Sequence, residues 1–211
     1  MKCVVPPWTW ISIFLGYSLG DVSTKRFVQR LNRAAECKIQ IDGEIQELHQ
    51  REYRGKRIYL LLTDDAKHSI RTKVDIGVHS YKSIEQVDFR FKVISDVGGV
   101  VLLVNPKEQI FVEKLKSLLR FGIVSTRYKD VYDMFYLSSR VDVEVLGGYI
   151  RVFIFEDEDM LENSVTDVER RLARIFSNRK FMKGMANPDN AWLDVPVETV
   201  TGTLLGFFKK L

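Results

Sequence analysis

The amino-acid sequence predicts an α+β fold in which strands come first along the chain and helices follow. Short runs typical of strands, apolar or alternating in polarity, lie between residues 38 and 104. Beyond residue 105, apolar residues recur at helical spacing. The chain has 211 residues, of which 45% are hydrophobic and 28% charged, so it suits one globular domain or two small ones that share a core.

One helix precedes the strands. Apolar residues at helical spacing predict it over Asp21–Glu36, with Asp21 or Ser23 as its cap. Gly55 and the Asp64-Asp65 pair are expected to mark turns. We predict the strands over Lys38–Ile41, Arg57–Leu62, Ile70–Val78, Val87–Ile94 and Val100–Val104.

Helices dominate the second half of the chain. Asn105 is expected to cap a helix that has Pro106 in its first turn and continues over Lys107–Arg120. A further strand is expected over Val143–Phe155, followed by the acidic run Glu156–Asp159 as a solvated loop. The remaining helices are predicted over Tyr128–Leu137, Val165–Phe176 and Val197–Leu211.

Composition and charge restrict the class of protein. The formal net charge of +4 is a mildly basic balance that permits binding to RNA or nucleotide phosphates. Cys3 and Cys37 have no metal-ligand spacing, which argues against a disulfide scaffold or structural zinc and fits a cytoplasmic protein. The apolar run Val4–Leu19 contains Pro6 and Pro7 and is shorter than the roughly 20 residues of a membrane span, so no membrane association is expected.

Candidate site residues occur in three segments, of which the first is a predicted strand. Asp75 lies between Val74 and Ile76, whose side chains are expected to face the core. Because side chains alternate along a strand, Asp75 is on the other face. Taken alone, this segment is best interpreted as a polar residue on a solvated sheet face.

The other two segments lie on predicted helices. Glu113 and Lys114 follow the apolar stripe of one helix, where ordinary surface ion pairs would also explain them. Asp130 and Asp133 are three residues apart and therefore share a face near the start of the next helix, just after Arg127. The helix dipole alone favours carboxylates at that position, so each segment is a weak signal by itself.

In combination, the three segments resemble the AbiEii/AbiGii family of nucleotidyltransferase-like toxins. The resemblance lies in the order and spacing of its motifs and covers about residues 21 to 140. The matching motifs are Lys73-Val74-Asp75-Ile76, Pro106-Lys107-Glu108, Glu113-Lys114-Leu115 and Lys129-Asp130-Val131-Tyr132-Asp133-Met134.

The resemblance implies metal-dependent transfer of a nucleotide from an NTP to tRNA, another RNA or another acceptor, with a separate cognate antitoxin. Carboxylates in such a site hold Mg²⁺, which neutralises the triphosphate and activates a hydroxyl. By resemblance, Asp75 is a metal ligand or accepts the proton of the attacking hydroxyl, and Lys114 contacts nucleotide phosphates. Asp130 is the acidic residue of the last motif. Supporting roles are implied for Arg127 and Lys129 as phosphate contacts and for Glu113 and Asp133.

The family's first motifs, a glycine turn and an Asp-x-Asp strand, are not found before the first helix. The segment Trp8-Thr9-Trp10-Ile11 must be encoded as TGG ACN TGG ATH. Read two nucleotides later, this gives GAC NTG GAT, which encodes Asp, then Leu, Met or Val, then Asp. We therefore expect a frameshift near residues 14 to 20, which makes this chain an inactive, truncated or frameshifted member.

Three parts of the chain follow from this interpretation. Residues 1–20 are expected to be an aberrant or disordered N-terminus. Residues 21–104 are expected to form a partial nucleotidyltransferase-like α/β core with a mixed sheet that is incomplete at its N-terminus. Residues 105–211 are expected to form a mainly helical region.

Two other functions fit parts of the sequence. A non-catalytic module that binds RNA or an antitoxin is favoured by a basic stretch, although a solvated helix face is the simpler interpretation. Its cations are Arg170, Arg171, Arg174, Arg179 and Lys180. A metal-dependent nuclease ranks last, because Glu113-Lys114-Leu115-Lys116 lacks the Glu-x-Lys spacing and lies on a helix.

Overall fold

A computed structural model describes residues 10–12, 20–35, 37–49, 54–77, 86–91 and 100–211. Its contacts divide the chain into two units, Met1–Ile84 and Glu85–Leu211. The elements of the first unit are β1 (Trp10–Ser12), α1 (Asp21–Ala34), β2 (Lys38–Ile41), β3 (Gln46–His49), β4 (Arg54–Thr63) and β5 (Ser69–Gly77).

The first unit is built on a mixed sheet. Its strands follow the order β1-β5-β4-β2, and β3 also pairs with β4. β1 runs parallel to β5, whereas β2, β3 and β5 are antiparallel to β4. The hairpin between β4 and β5 turns at Asp64, whose side chain accepts a hydrogen bond from the His68 backbone N–H (2.8 Å), and Lys67 there has a positive φ of 65°. This confirms the turn predicted at Asp64-Asp65.

One face of this sheet carries the first unit's core. Val28 of α1 packs with Ile58 of β4 and Val74 and Ile76 of β5, as the period-two pattern of the strands predicts. Gly55 lies inside β4, so its prediction as a turn was wrong. A Cβ at Gly55 would come within 2.7 Å of the Ile76 carbonyl oxygen, so the close approach of β5 requires glycine.

The second unit begins with a hairpin and continues as helices. β6 (Val87–Phe91) and β7 (Val100–Val104) pair antiparallel in a separate two-stranded sheet. The helices are α2 (Lys107–Phe121), α3 (Tyr128–Ser138), α4 (Val143–Ile150), α5 (Val165–Phe176), α6 (Arg179–Met185) and α7 (Val197–Phe208). A 3₁₀ turn covers Gly122–Val124, and a π-helical segment covers Arg151–Phe155.

Helix α2 is the centre of the second unit. Its buried side chains include Phe111, Val112 and Leu115, each with 0% exposure. α2 contacts α3, α4 and α5, and Phe111 lies against the rings of Phe207 and Phe208 on α7, with centroid distances of 5.6 and 6.1 Å. The apolar stripe of α2 that the sequence predicts is thus the surface against which the other helices pack.

The fold class is confirmed as α+β, with a mixed sheet followed by a helical region. The division between the two units falls after Ile84 and not between residues 104 and 105, because β6 and β7 pair with each other in a sheet of their own. Within the expected aberrant segment 1–20, Trp10–Ser12 form β1. Residues 1–9 and 13–19 lie outside the described part of the chain.

The strand expected over Val143–Phe155 was wrong, because this segment is helical. Asp142 caps α4 by accepting hydrogen bonds from the backbone N–H groups of Glu144 (3.0 Å) and Val145 (3.1 Å). The buried residues Leu146, Ile150, Phe153 and Ile154 recur at helical spacing. The following acidic run is only partly solvated, since Asp157 forms an ion pair with the buried Lys116 (2.7 Å).

The predicted helix caps also need correction. α1 begins after Gly20 and α2 after Pro106, and neither has a side-chain cap. Asn105 therefore does not cap α2, and its Oδ1 is buried without a hydrogen-bond partner. In the part of the chain that the structure describes, no helix is both long and apolar enough to cross a bilayer.

Candidate functional site

A cluster of four charged side chains joins α2 to α3 in the second unit. The Lys114 ammonium lies 2.9 Å from Asp130 Oδ1 and 2.7 Å from Asp133 Oδ2. Arg127 places its Nε 2.5 Å from Asp130 Oδ2. Asp130 Oδ2 is buried and has no hydrogen-bond partner, so this contact is an ion pair.

The local sequence explains how these groups meet. Asp130 and Asp133 are one helical turn apart on α3, so both carboxylates point to the same side. Lys114 comes from the middle of α2, the helix that packs against α3. α3 is held in turn by the Tyr132 hydroxyl, which donates to the Met185 carbonyl oxygen of α6 (3.0 Å).

Electrostatics in this cluster keep Lys114 charged. Burial alone would lower the pKa of the Lys114 ammonium, but the carboxylates of Asp130 and Asp133 outweigh it and raise the pKa above its ordinary value of 10.5. The side chain is 18% exposed, so it retains some access to solvent. Lys114 is thus a fixed positive charge at neutral pH and unsuited to act as a base.

Glu113 and Lys129 flank the cluster on the same two helices. Glu113 accepts a hydrogen bond from Nε2 of Gln109 (2.7 Å), and Gln109 is fully buried. This bond ties Glu113 to its own helix. Lys129 is partly buried in the first turn of α3, next to Asp130 in the chain.

Asp75 lies in the first unit, on the sheet face opposite the core. Its two carboxylate oxygens accept hydrogen bonds from Arg57 Nε (2.7 Å) and Nη2 (2.8 Å), and Asp75 is 8% exposed. Asp75 raises the pKa of the Arg57 guanidinium. The interpretation of a solvated sheet face was therefore wrong, because Asp75 is buried in a bidentate ion pair.

These residues do not fit a Mg²⁺ site as they stand. Mg²⁺ needs several oxygen ligands, and both oxygens of Asp75 already face Arg57. Among the described residues, no three acidic, histidine or cysteine side chains are grouped so that they could hold a metal ion. On the neighbouring parallel strand, Trp10 is the residue paired with Asp75.

Four of the predicted site residues come together in the second unit: Lys114, Arg127, Asp130 and Asp133. Asp75 belongs to the first unit, and Glu113 and Lys129 lie beside the cluster along the chain. Sequence reasoning missed Arg57. The sequence could have indicated Arg57, because a hairpin that turns at Asp64-Asp65 places Arg57 and Asp75 at paired positions on its two strands.

A mixed sheet followed by a helical region is consistent with a nucleotidyltransferase-like fold. A family profile described as nucleotidyl transferase AbiEii toxin, Type IV TA system, matches residues 18–191. The chain therefore belongs to the AbiEii nucleotidyl transferase toxin family of toxin-antitoxin systems, as the sequence motifs predicted. No curated protein is significantly similar to the chain.

Proposed function

We propose that this protein derives from a toxin that transfers a nucleotide from an NTP to an RNA acceptor in the cytoplasm, with Mg²⁺ as cofactor and a cognate antitoxin as its counterpart. The observation that carries the proposal is the ion pair between Lys114 and Asp130. Both residues belong to the motifs described above and lie within the range that the family profile matches.

Lys114 and Arg127 supply the positive charge that a triphosphate needs. Lys114 has three N–H donors, and the two carboxylates take two of them. Arg127 has a side chain that is 43% exposed, so its guanidinium can turn to an incoming phosphate. Asp130 and Asp133 hold the ammonium in place before the nucleotide arrives, which is a positioning role.

We further propose that the 211-residue polypeptide by itself does not transfer nucleotides. The described residues offer Asp75 with both oxygens on Arg57, and a single paired carboxylate cannot hold Mg²⁺. In the register of β1 and β5, residue 10 is the partner of Asp75. Position 10 of β1 is therefore the nearest neighbour of Asp75 on the parallel strand.

The register supports the proposed frameshift. The second forced Asp codon of the shifted frame overlaps the codons of Trp10 and Ile11, which pair with Asp75 and Ile76. A chain translated in that frame would thus carry its second aspartate within β1, the strand that pairs with the strand of Asp75. The position of β1 favours this interpretation over an unrelated N-terminal segment.

A transfer assay tests both proposals. Purified protein is incubated with α-labelled NTPs, Mg²⁺ and mixed tRNA. We expect no labelled RNA with the 211-residue chain, and labelled RNA when the first 18 or so residues are replaced by the frame-restored sequence. Lys114→Ala should abolish labelling by the restored protein. Labelling by the unchanged chain that depends on Asp75 would refute the inactivity, and none by a folded restored protein would refute the transferase.

A further inference from the structure

Positive charge is concentrated in one stretch of the second unit. The whole chain has a net charge of +4, yet residues 170–187 contain six cationic and no acidic side chains, so the rest of the chain is net negative by two. Such a separation of charge along a sequence is typical of proteins that bind polyanions.

Two of the six cations are engaged within the protein. Arg170 pairs with Asp167 in the preceding turn (2.9 Å). Arg171 turns inward and donates to the Leu119 carbonyl oxygen (3.3 Å), with Glu162 nearby at 3.9 Å. Arg171 therefore serves the fold, whereas Arg170 forms only an exposed surface pair.

The other four cations are exposed and define one surface, which we call the cationic surface. They follow the turn from α5 into α6, where the Phe176 and Phe181 rings pack (6.2 Å between centroids) and Asn178 caps α6 through the Phe181 N–H (3.0 Å). None of the four is paired with a carboxylate of the described residues. Its members are Arg174, Arg179, Lys180 and Lys183.

The cationic surface is fixed next to the start of α3. A Cβ on Gly184 would clash with the ring of Tyr128, so glycine at this position lets α6 rest on the ring without a shift. One residue further, the Met185 carbonyl oxygen accepts a hydrogen bond from Tyr132. Tyr128 follows Arg127 directly, so the cationic surface and the charged cluster are held on adjoining elements of one unit.

We propose that the cationic surface binds the sugar-phosphate backbone of the acceptor RNA and leads it toward the first turn of α3. This inference rests on the proposed function in one respect, because it takes RNA to be the acceptor of the nucleotide. Four exposed cations without carboxylate partners are suited to displacing counterions from a phosphate backbone. Helix α1 in the first unit also has four exposed cations, so it provides a control that is matched in the number of charges removed.

The test measures binding of the full chain to a fluorescently labelled single-stranded RNA by anisotropy, without nucleotides. Four phosphate contacts give a slope of roughly −2.8 in log K against log salt, so affinity should fall about 50-fold between about 50 and 200 mM salt. We expect the cationic-surface variant to bind at least about tenfold more weakly. The magnitude of its slope of log K against log salt should be smaller by roughly two to three. This variant is R174Q/R179Q/K180Q/K183Q.

The control removes the same number of charges from α1 and should change affinity by less than about threefold, with thermal unfolding confirming that both variants are folded. This control is K25Q/R26Q/R30Q/R33Q. Equal losses in both variants would overturn the proposal, as would unchanged binding in the cationic-surface variant. Binding to phosphatidylglycerol vesicles without binding to RNA would also overturn it. Because the assay involves no transfer, a failure of the nucleotidyltransferase proposal leaves its outcome unaffected.

Discussion

Replacing Lys114 by methionine removes the charge that holds two carboxylates of α3 against α2. The methionine keeps most of the side-chain volume, so the change isolates the charge. Asp130 and Asp133 then remain 11% and 31% exposed without their shared partner. We therefore expect Lys114→Met to destabilise the protein.

The expected size follows from the burial of the cluster. Leaving one member of a buried ion pair without its partner costs about 3–5 kcal/mol. Because the three side chains retain some contact with water, we discount this to about 2–3 kcal/mol. For a unit of this length such a loss lowers the melting temperature by about 10 °C.

Thermal unfolding followed by circular dichroism measures this effect. The matched control is Lys107→Met, because Lys107 lies on the same helix and its contact to Glu108 is long (3.7 Å) and half-exposed. That control should change stability by less than about 0.5 kcal/mol. In a chain carrying Asp130→Asn and Asp133→Asn, Lys114→Met should cost almost nothing. Equal effects of Lys114→Met and Lys107→Met would refute the reasoning.

The stability difference between the wild type and Lys114→Met should change with pH in a defined direction. The folded pKa of Lys114 lies above its ordinary value of 10.5, so the stabilisation is fully present below pH 10.5. It is lost as the pH rises through the folded pKa. The stability difference between the wild type and Lys114→Met should therefore stay constant around neutral pH and shrink above pH 10.5. A stability difference that shrinks between pH 7 and 9 would contradict a raised pKa of Lys114 in the folded protein.

Three glycines give further predictions, each measured by thermal unfolding. Gly184→Ala should cost about 1–3 kcal/mol because its Cβ meets Tyr128, and Tyr128→Ala in the same chain should recover part of this loss. Gly55→Ala should cost a similar amount because its Cβ meets the Ile76 carbonyl oxygen, and no loss would contradict the close strand pairing. Gly202→Ala, in open space on α7, should stabilise by up to about 1 kcal/mol, and a loss would contradict the open surroundings.

Local patterns predicted most helices and strands. α5 begins and ends where the sequence placed it, because Ser164 caps it through the Asp167 N–H and its apolar residues keep helical spacing. α2 and β2 also lie within a residue of their predicted bounds. These elements were predictable since their signals come from neighbouring residues.

The segment Val143–Phe155 shows how such signals can conflict. Its many β-branched residues favour a strand, while the cap at Asp142 and the spacing from Leu146 to Ile150 favour a helix. Packing against α2 decides in favour of the helix. Tertiary contacts of this kind are not visible in a single sequence.

The charged contacts were predictable in part. Asp130 and Asp133 share a face by local geometry, but their meeting with Lys114 depends on how α2 and α3 pack. The pairing of Asp75 with Arg57 depends on the register of the β4–β5 hairpin, which one residue of slip would change. Motif order identified the family, whereas partners across elements required the structure.

Sequencing the 5′ end of the gene, with its frame read through the codons of residues 14 to 20, tests the proposed frameshift. We predict that removal of one base there restores an upstream glycine turn and an Asp-x-Asp strand in frame with Asp75. A frame that runs unbroken through these codons, with no such motif upstream, would contradict it and would favour a non-catalytic protein that binds RNA.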